Sequence, residues 1–279
     1  MERIDAHFHL WRIDQYDSSW MQGPFARLER DFGAADIEAA LARSGVDGAV
    51  FVQAQHAMSD NDWVLGLAAT HACIRGVVGW VDLTDPHVEA TVERYRENPH
   101  FVGVRHIVQD EPDPDWILRP DVQRGLAVLE KHRVPYDLLF FVKHLPHAAT
   151  VADRFPDLPL VLDHLAKPRI KDRAIDDWLP AFREAARRPN VHCKLSGMVT
   201  EADFDSWTPA DLGPYVEHAL EAFGPERLIY GSDWPVCLVA NAEHHDVLHA
   251  LETHLEALSD SERTAILGGN AKRFYRLPD

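Results

Sequence analysis

Two histidines, His7 and His9, stand two residues apart within the apolar stretch 4–10, almost at the start of the chain. On a β-strand this spacing points both imidazoles to one face, and we expect Asp5 to share that face. Burying imidazole rings is costly unless their polar nitrogens have partners. The motif alone leaves two interpretations open: a chemical site, or a pair of hydrogen-bonded histidines in the core or at a strand end.

Polar residues also stand at the ends of the other apolar runs of the sequence. In chain order they are Gln53, Gln55, Trp80, Asp82, Arg105, His106, Lys143, His144, Asp163, His164, Lys194 and Asp233. Each has a structural alternative; Lys194, for example, could be a buried cation that balances Asp163 or Asp233. Taken together, a purely structural interpretation would require many buried charges without a purpose, which is energetically expensive. The set therefore favours a catalytic site at the strand ends.

Eight apolar runs bounded by turn signals predict the strands that must position these residues. They are 3–11, 48–54, 76–83, 101–107, 135–142, 158–165, 190–195 and 228–236. Several are almost continuously apolar, which is typical of strands covered on both faces in a parallel sheet. Helical patterns lie between them, at 35–44, 60–71, 88–98, 120–132, 145–155, 176–187, 209–223 and 243–258, followed by a broken segment at 260–275.

Eight βα units of about 30 residues give a chain of about 250, the usual size of a (β/α)8 barrel. A doubly wound sheet is the alternative, but the glycine-rich turn expected after its first strand is missing here. We therefore predict an α/β fold with a single (β/α)8 TIM-like barrel domain over residues 1–279. In this fold the chemistry lies at the carboxyl ends of the strands. The segment 12–32, which contains Trp20 and Phe25, is predicted to be a lid loop over that end.

The chain of 279 residues has 45 acidic against 28 basic side chains, a formal charge of -17. Such a surface repels phosphate backbones and anionic lipid, so we expect a small-molecule substrate rather than nucleic acid or a membrane. Three scattered cysteines argue against a disulfide framework and fit a cytoplasmic protein. We also expect no signal peptide. The oligomeric state does not follow from the sequence, and a dimer is one option.

The combination of His7 and His9 on the first strand, His164 late in the sixth and Asp233 closing the eighth resembles the amidohydrolase superfamily. Longer stretches are similar to the sugar-lactone hydrolases of its Amidohydrolase-2 branch, of the L-fuconolactonase and L-rhamnonolactonase type. These stretches are 104–106, 162–164, 167–168, 193–197, 200–203, 223–228 and 231–236. The resemblance spans the chain and implies a hydrolase of carboxylic esters that opens a sugar lactone to the aldonic acid in carbohydrate catabolism.

The resemblance implies catalytic roles for Asp233, His164, His7, His9 and Arg105. Asp233 would take a proton from water and return it to the leaving ring oxygen, while the histidines and Arg105 polarise the carbonyl. One divalent ion, zinc or manganese, could be held by His7, His9 and Asp233, or the site could be metal-independent. A two-metal centre is not expected, because an arginine stands where the superfamily needs an anionic bridging ligand.

Amide and aromatic side chains suit a neutral polyol better than an anionic substrate. The predicted substrate-binding residues are Gln53, Gln55, Trp80, His106, Trp11, Trp234 and Lys194. Trp11 and Trp234 could equally pack at the rim of the barrel, and Lys194 could hold Asp163 or Asp233 in place.

Three rival functions stay open at this stage. A metal-dependent decarboxylase or other hydrolase of the same branch would require a tightly bound ion, so metal content discriminates it. A lactone isomerase would interconvert lactones without releasing acid. A non-catalytic carbohydrate-binding barrel would bind sugar without turnover.

Overall fold

Eight parallel strands follow one another in chain order around a barrel in the computed structural model, which describes residues 2–278. The strands are β1 (Ile4–Phe8), β2 (Gly48–Val52), β3 (Ile74–Gly79), β4 (Phe101–His106), β5 (Tyr136–Leu138), β6 (Leu160–Leu162), β7 (Val191–Leu195) and β8 (Leu228–Tyr230). A parallel bridge between Phe8 and Trp234 joins the two ends of the sheet. The predicted (β/α)8 barrel is confirmed, and every strand overlaps its predicted apolar run.

Helices follow the strands in sequence. They are α1 (Ala34–Ser44), α2 (Met58–Ala68), α3 (Val88–Arg96), α4 (Pro120–His132), α5 (Pro146–Arg154), α6 (Leu179–Ala186), α7 (Met198–Glu201), α8 (Pro209–Phe223), α9 (His244–Leu255), α10 (Asp260–Thr264) and α11 (Asn270–Tyr275). The predicted terminal segment is broken at the expected place, because a π-helical turn, Ala265–Gly269, separates α10 from α11. Among residues 2–278, none of these helices is long and apolar enough to cross a bilayer.

The inside of the barrel is closed at the bottom by the last helix. Apolar side chains from six of the strands pack there against α11, in a cluster of Ile4, Ala6, Val50, Val52, Val78, Val102, Val161, Ile229, Ala271, Phe274, Tyr275 and Leu277. A much larger apolar layer includes residues of both the strands and the surrounding helices. The catalytic cluster described below lies above this apolar floor, where the strands end.

Strand β1 contains one extra residue, and this irregularity decides where its polar side chains point. Asp5 pairs with Ala49 and Phe8 with Phe51, so three steps along β1 match two along β2, as in a β-bulge. The bulge turns His7 into the barrel, while Asp5 contacts His244 of α9 at 3.0 Å outside it. The prediction that Asp5 shares a face with His7 is therefore wrong.

Candidate active site

Three histidines and one aspartate converge at the upper end of the barrel. The Oδ1 atom of Asp233 lies 3.2 Å from Nε2 of His9 and 3.8 Å from Nε2 of both His7 and His164. Arg105 Nη1 lies 3.2 Å from Nε2 of His7. All five predicted catalytic residues are buried and belong to one cluster. Their catalytic roles stay a prediction, while their proximity is a property of the fold.

The backbone adopts the left-handed conformation at both places where these side chains follow a strand. His164, two residues after the end of β6, begins a run of four residues with φ between 53° and 58°, and Asp233 has φ 57° after β8. Left-handed backbone costs a residue with a side chain roughly 1 to 2 kcal/mol. Surrounding contacts hold both residues: Ser196 Oγ lies 2.8 Å from His164 Nδ1, and the His7 carbonyl accepts a 2.8 Å hydrogen bond from the Asp233 amide.

Gly197 lies against the His164 ring, and this close approach gives a first testable prediction. A Cβ atom at Gly197 would lie 2.5 Å from His164 Nδ1, and the residue has φ 60°. We expect Gly197→Ala to lower the free energy of unfolding by about 3 kcal/mol, the sum of backbone strain and overpacking. Gly45→Ala is the matched control, because Gly45 has φ 63° with no atom within 4 Å of its Cβ position. Equal losses for the two variants in urea titrations would contradict the steric explanation.

A chain of buried ionic contacts continues from this cluster towards the floor of the barrel. The Asp163 carboxylate contacts Arg105 Nη1 at 3.1 Å and Lys194 Nζ at 3.0 Å. Lys194 also contacts Asp137 at 2.6 Å, and the Tyr275 hydroxyl donates a hydrogen bond to the same carboxylate at 2.8 Å. Lys194 thus holds Asp163, one of the two partners considered from the sequence. The contacts connect α11 to the catalytic cluster through charged groups.

Burial and neighbouring charge set the protonation of the cluster. Burial lowers the pKa of His164 to about 4 and moves the pKa of His7 well below its ordinary value, so both rings are neutral at pH 7. Burial alone would raise the pKa of Asp233, but the three surrounding imidazoles, His164 foremost, hold it below its ordinary value. Asp233 is therefore a carboxylate at neutral pH.

These histidines make the fold sensitive to acid, which gives a second prediction. Burial lowers the pKa of His56 to about 4 and that of His106 to about 3, in addition to His7 and His164. Between pH 6.5 and pH 4 the unfolded chain binds protons that the folded chain does not bind. The free energy of unfolding should therefore fall steadily over this range, as measured by urea titration. A flat profile would contradict the prediction, and His164→Gln should reduce the slope.

A cavity of about 910 Å³ opens above the cluster and has access to His9, Arg105, His164 and Asp233. Side chains of the predicted lid loop form part of its wall, namely Tyr16, Asp17, Trp20 and Phe25. Two backbone hydrogen bonds between Trp11 and Phe32, at 3.2 and 3.0 Å, close the base of this loop. Carboxylates are frequent around the cavity, at Asp17, Asp110, Glu111, Glu201 and Asp233. The loop covers the site, while its movement as a lid stays a prediction.

Two of the predicted substrate-binding residues, Gln55 and Trp11, line this cavity. The other five lie outside the wall: Gln53, Trp80, His106, Trp234 and Lys194. The Gln53 carbonyl and side-chain amide bond to Arg105, and the Trp80 indole donates to His106 Nδ1 at 3.1 Å. His106 stacks on Trp116 on the other face of β4 from Arg105. These residues position the site or pack around it.

Sequence reasoning did not select several residues that the fold brings to the site. The cavity wall includes Tyr16, His56, Glu111, Lys167 and Glu201, and the buried ionic chain includes Asp137. A charge within the apolar run 135–142 was a signal that could have identified Asp137. Those residues of the cavity wall that lie on loops follow no hydrophobic periodicity, so the sequence pattern could not have identified them. His144, one of the polar residues at the ends of the apolar runs, lies in a 3-10 turn after β5, where its Nδ1 accepts a hydrogen bond from the Phe141 amide.

The donor atoms around Asp233 fit one divalent ion. His9 Nδ1 donates to the Val52 carbonyl at 2.7 Å, so in the neutral ring Nε2 carries a lone pair directed at the Asp233 carboxylate. Two acceptors in contact must share a cation, either a proton or a metal. Three imidazole nitrogens and a carboxylate oxygen are ligands that zinc accepts. Arg105, which donates towards His7 Nε2, competes for one of these ligands.

The barrel and this cluster define a hydrolase of the amidohydrolase class, and the chain belongs to that family: the family described as Amidohydrolase matches residues 4–277. The chain is 38% identical to a protein named L-fucono-1,5-lactonase from Burkholderia ambifaria, over 99% of this chain and 96% of that protein. A protein of the same name from Burkholderia multivorans is also 38% identical, over 99% and 97%. A crystal structure of a Burkholderia multivorans amidohydrolase with bound zinc superimposes with a TM-score of 0.94, at 37% identity over 100% of both chains.

Proposed function

We propose that the protein hydrolyses a sugar lactone of the L-fuconolactone type to the open aldonic acid. The observation that carries this proposal is a carboxylate surrounded by three imidazoles, one of which contacts an arginine, at the floor of a cavity. The full-length similarity to proteins named L-fucono-1,5-lactonase supports the same reaction class, which the sequence had predicted.

Lactone hydrolysis needs a base for water and a positive group near the carbonyl oxygen. Asp233 accepts a proton from water, and its low pKa is tolerable because a lactone is an activated ester. The Arg105 guanidinium, held by the Gln53 carbonyl and by Asp163, stabilises the negative charge that develops on the carbonyl oxygen. His164, neutral and held by Ser196, orients the water by accepting or donating a hydrogen bond.

The neutral residues of the cavity wall suit a polyhydroxylated ring. The Gln55 amide lies on the wall, and the Trp11 and Tyr16 rings stack 5.4 Å apart beside it. An amide exchanges hydrogen bonds with hydroxyl groups, and aromatic faces pack against the C–H surface of a sugar. We propose these three residues as the substrate-binding set.

A divalent ion held by His7, His9 and Asp233, with His164 beside them, would supply Lewis-acid polarisation of the carbonyl. We expect the apo protein to bind one zinc ion per chain, measured by metal analysis after dialysis. His9→Asn should lose this binding, whereas His245→Asn, at an exposed position on α9, should keep it. Equal zinc content in both variants would contradict the ligand assignment.

The function is tested by following acid release from a panel of 1,4- and 1,5-sugar lactones with a pH indicator, before and after chelation. We expect turnover of a 6-deoxy sugar lactone. Loss of turnover on chelation, restored by zinc or manganese, would assign carbonyl polarisation to the ion, and survival would assign it to the side chains. Interconversion of lactones without acid would support an isomerase, and binding without turnover would support a carbohydrate-binding barrel.

A further inference from the structure

Lys167 and Glu201 form an ionisable pair on the cavity wall that the reaction described above does not use. Their Nζ and Oε1 atoms lie 3.8 Å apart, beyond hydrogen-bond distance, on the segments that follow β6 and β7. Both side chains are mostly buried, with 18% and 22% exposed. Within residues 2–278, we find no protein group that donates a hydrogen bond to the Glu201 carboxyl. The carboxyl is therefore available to a molecule in the cavity.

The surroundings of Glu201 favour a bound proton. Burial raises its pKa to about 7, the nearby negative charge of Asp233 adds to this effect, and the ammonium of Lys167 opposes it. Lys171, which follows the same β6 turn, donates its backbone amide to the Glu201 carbonyl at 2.9 Å and directs its side chain to Asp203 at 3.0 Å. At neutral pH a substantial fraction of Glu201 is a neutral acid in contact with the cavity.

Opening a lactone ring produces an alkoxide, a strong base that needs a proton as it leaves. Other groups on the wall hold their protons poorly or too tightly: the pKa of His164 and of His56 is about 4, and burial raises that of Tyr16 to about 12. Asp233 is ionised before it takes a proton from water. With a separate proton donor, Asp233 does not have to carry the proton of the attacking water to the departing ring oxygen.

We propose that Glu201 is the catalytic acid that protonates the departing ring oxygen of the lactone, a role that rests on the proposed function. The oxygen of water forms a bond to the carbonyl carbon while its proton passes to Asp233. The bond between the carbonyl carbon and the ring oxygen then breaks, and this oxygen takes the proton of Glu201. The proton on Asp233 returns to Glu201 through solvent, and the new carboxylic acid ionises, so that lactone and water give an aldonate and one proton.

The positive charge of Lys167 opposes the rise in the pKa of Glu201. Its ammonium lies 3.8 Å from Glu201 and 5.4 Å from the centre of the Phe141 ring, and among residues 2–278 no closer anion neutralises it. Because this positive charge stabilises the carboxylate, its removal should raise the pH at which Glu201 loses its proton. A purely structural ion pair would not change the pH dependence of turnover in this direction.

The test is the pH profile of kcat/KM on the best lactone of the panel. For the wild type we expect a decline above about pH 7 as Glu201 ionises. Glu201→Gln should lower kcat about 100-fold or more and lose this descending limb. Asp203→Asn, which removes a carboxylate two residues away outside the cavity, should retain the wild-type profile. Retention of the limb with kcat within about 3-fold of the wild type in Glu201→Gln would overturn the assignment.

A second variant keeps the test decisive if Glu201→Gln folds poorly. Lys167→Met should move the descending limb to higher pH by about one unit. A limb that stays in place or moves to lower pH would overturn the role of Glu201. If the wild type hydrolysed no lactone at all, the proposed function itself would fail, an outcome distinct from an active enzyme that is indifferent to Glu201.

Discussion

Replacement of Asp233 by asparagine is expected to lower kcat on a sugar lactone by about 10³-fold or more while the barrel stays folded. The carboxylate is the only acceptor that the three imidazoles share, at 3.2 to 3.8 Å, among the residues described. An amide cannot accept a proton from water at neutral pH, so general-base catalysis, typically worth 10²- to 10⁴-fold, is lost together with the orientation of the imidazoles. Steady-state kinetics and a urea unfolding curve measure the two parts of this prediction.

Asp110→Asn serves as the control for this substitution. Asp110 also lies on the cavity wall, but it contacts none of the three imidazoles. Its kcat should therefore remain within about 3-fold of the wild type. Substantial residual turnover by Asp233→Asn, above about 10% of the wild-type kcat, would remove Asp233 from its role as the base.

The second large effect is expected on stability, from Lys194→Met. Lys194 is fully buried between the carboxylates of Asp137 and Asp163, at 2.6 and 3.0 Å. Removing it leaves the buried Asp137 carboxylate without a cation beside Asp163, which keeps only Arg105, and breaking such a buried pair costs about 3 to 5 kcal/mol. Urea unfolding at pH 7 should show this loss. At lower pH the loss should shrink, since protonation of Asp137, whose pKa burial raises to about 6 even beside the lysine, relieves the repulsion.

Two further variants separate this explanation from simple loss of packing. Adding Asp137→Asn to Lys194→Met removes the orphaned charge and should recover part of the stability. Lys171→Met removes an exposed lysine paired with Asp203 and should change the free energy of unfolding by no more than about 0.5 kcal/mol. If the double variant were as unstable as Lys194→Met alone, uncompensated charge would not be the cause.

The sequence predicted the barrel because buried strands and amphipathic helices alternate, and each has a recognisable pattern of hydrophobic residues. Alternation along the regular strand β4 accounts for the opposite directions of Arg105 and His106. The sequence could not predict the direction of Asp5, because the bulge in β1 depends on the pairing with β2 rather than on local residue types. The outcome is that His7 enters the barrel next to Arg105, although two-residue alternation from Ile4 would direct it outwards.

Loop conformations account for the other site residues whose positions did not follow from the sequence. Gln53 and Gln55 are equivalent in the sequence pattern, yet Gln53 bonds to Arg105 and Gln55 reaches the cavity. Glu201 and Lys167 approach each other because left-handed turns redirect the chain after β6. Such turns cannot be predicted from the periodicity of hydrophobic residues. Contacts between distant loops are set by the whole barrel, so local patterns contain no signal for them.

The carboxylates around the cavity have a consequence for product release. They outnumber the cationic groups there, at Asp17, Asp110, Glu111, Glu201 and Asp233 against Arg105 and Lys167. A lactone is uncharged and enters without electrostatic opposition, whereas the aldonate formed from it is an anion in a cavity of the same sign. Ring opening thus converts a bound molecule into one that its own binding site repels. We expect the aldonate to dissociate readily, so that product inhibition stays weak as the acid accumulates.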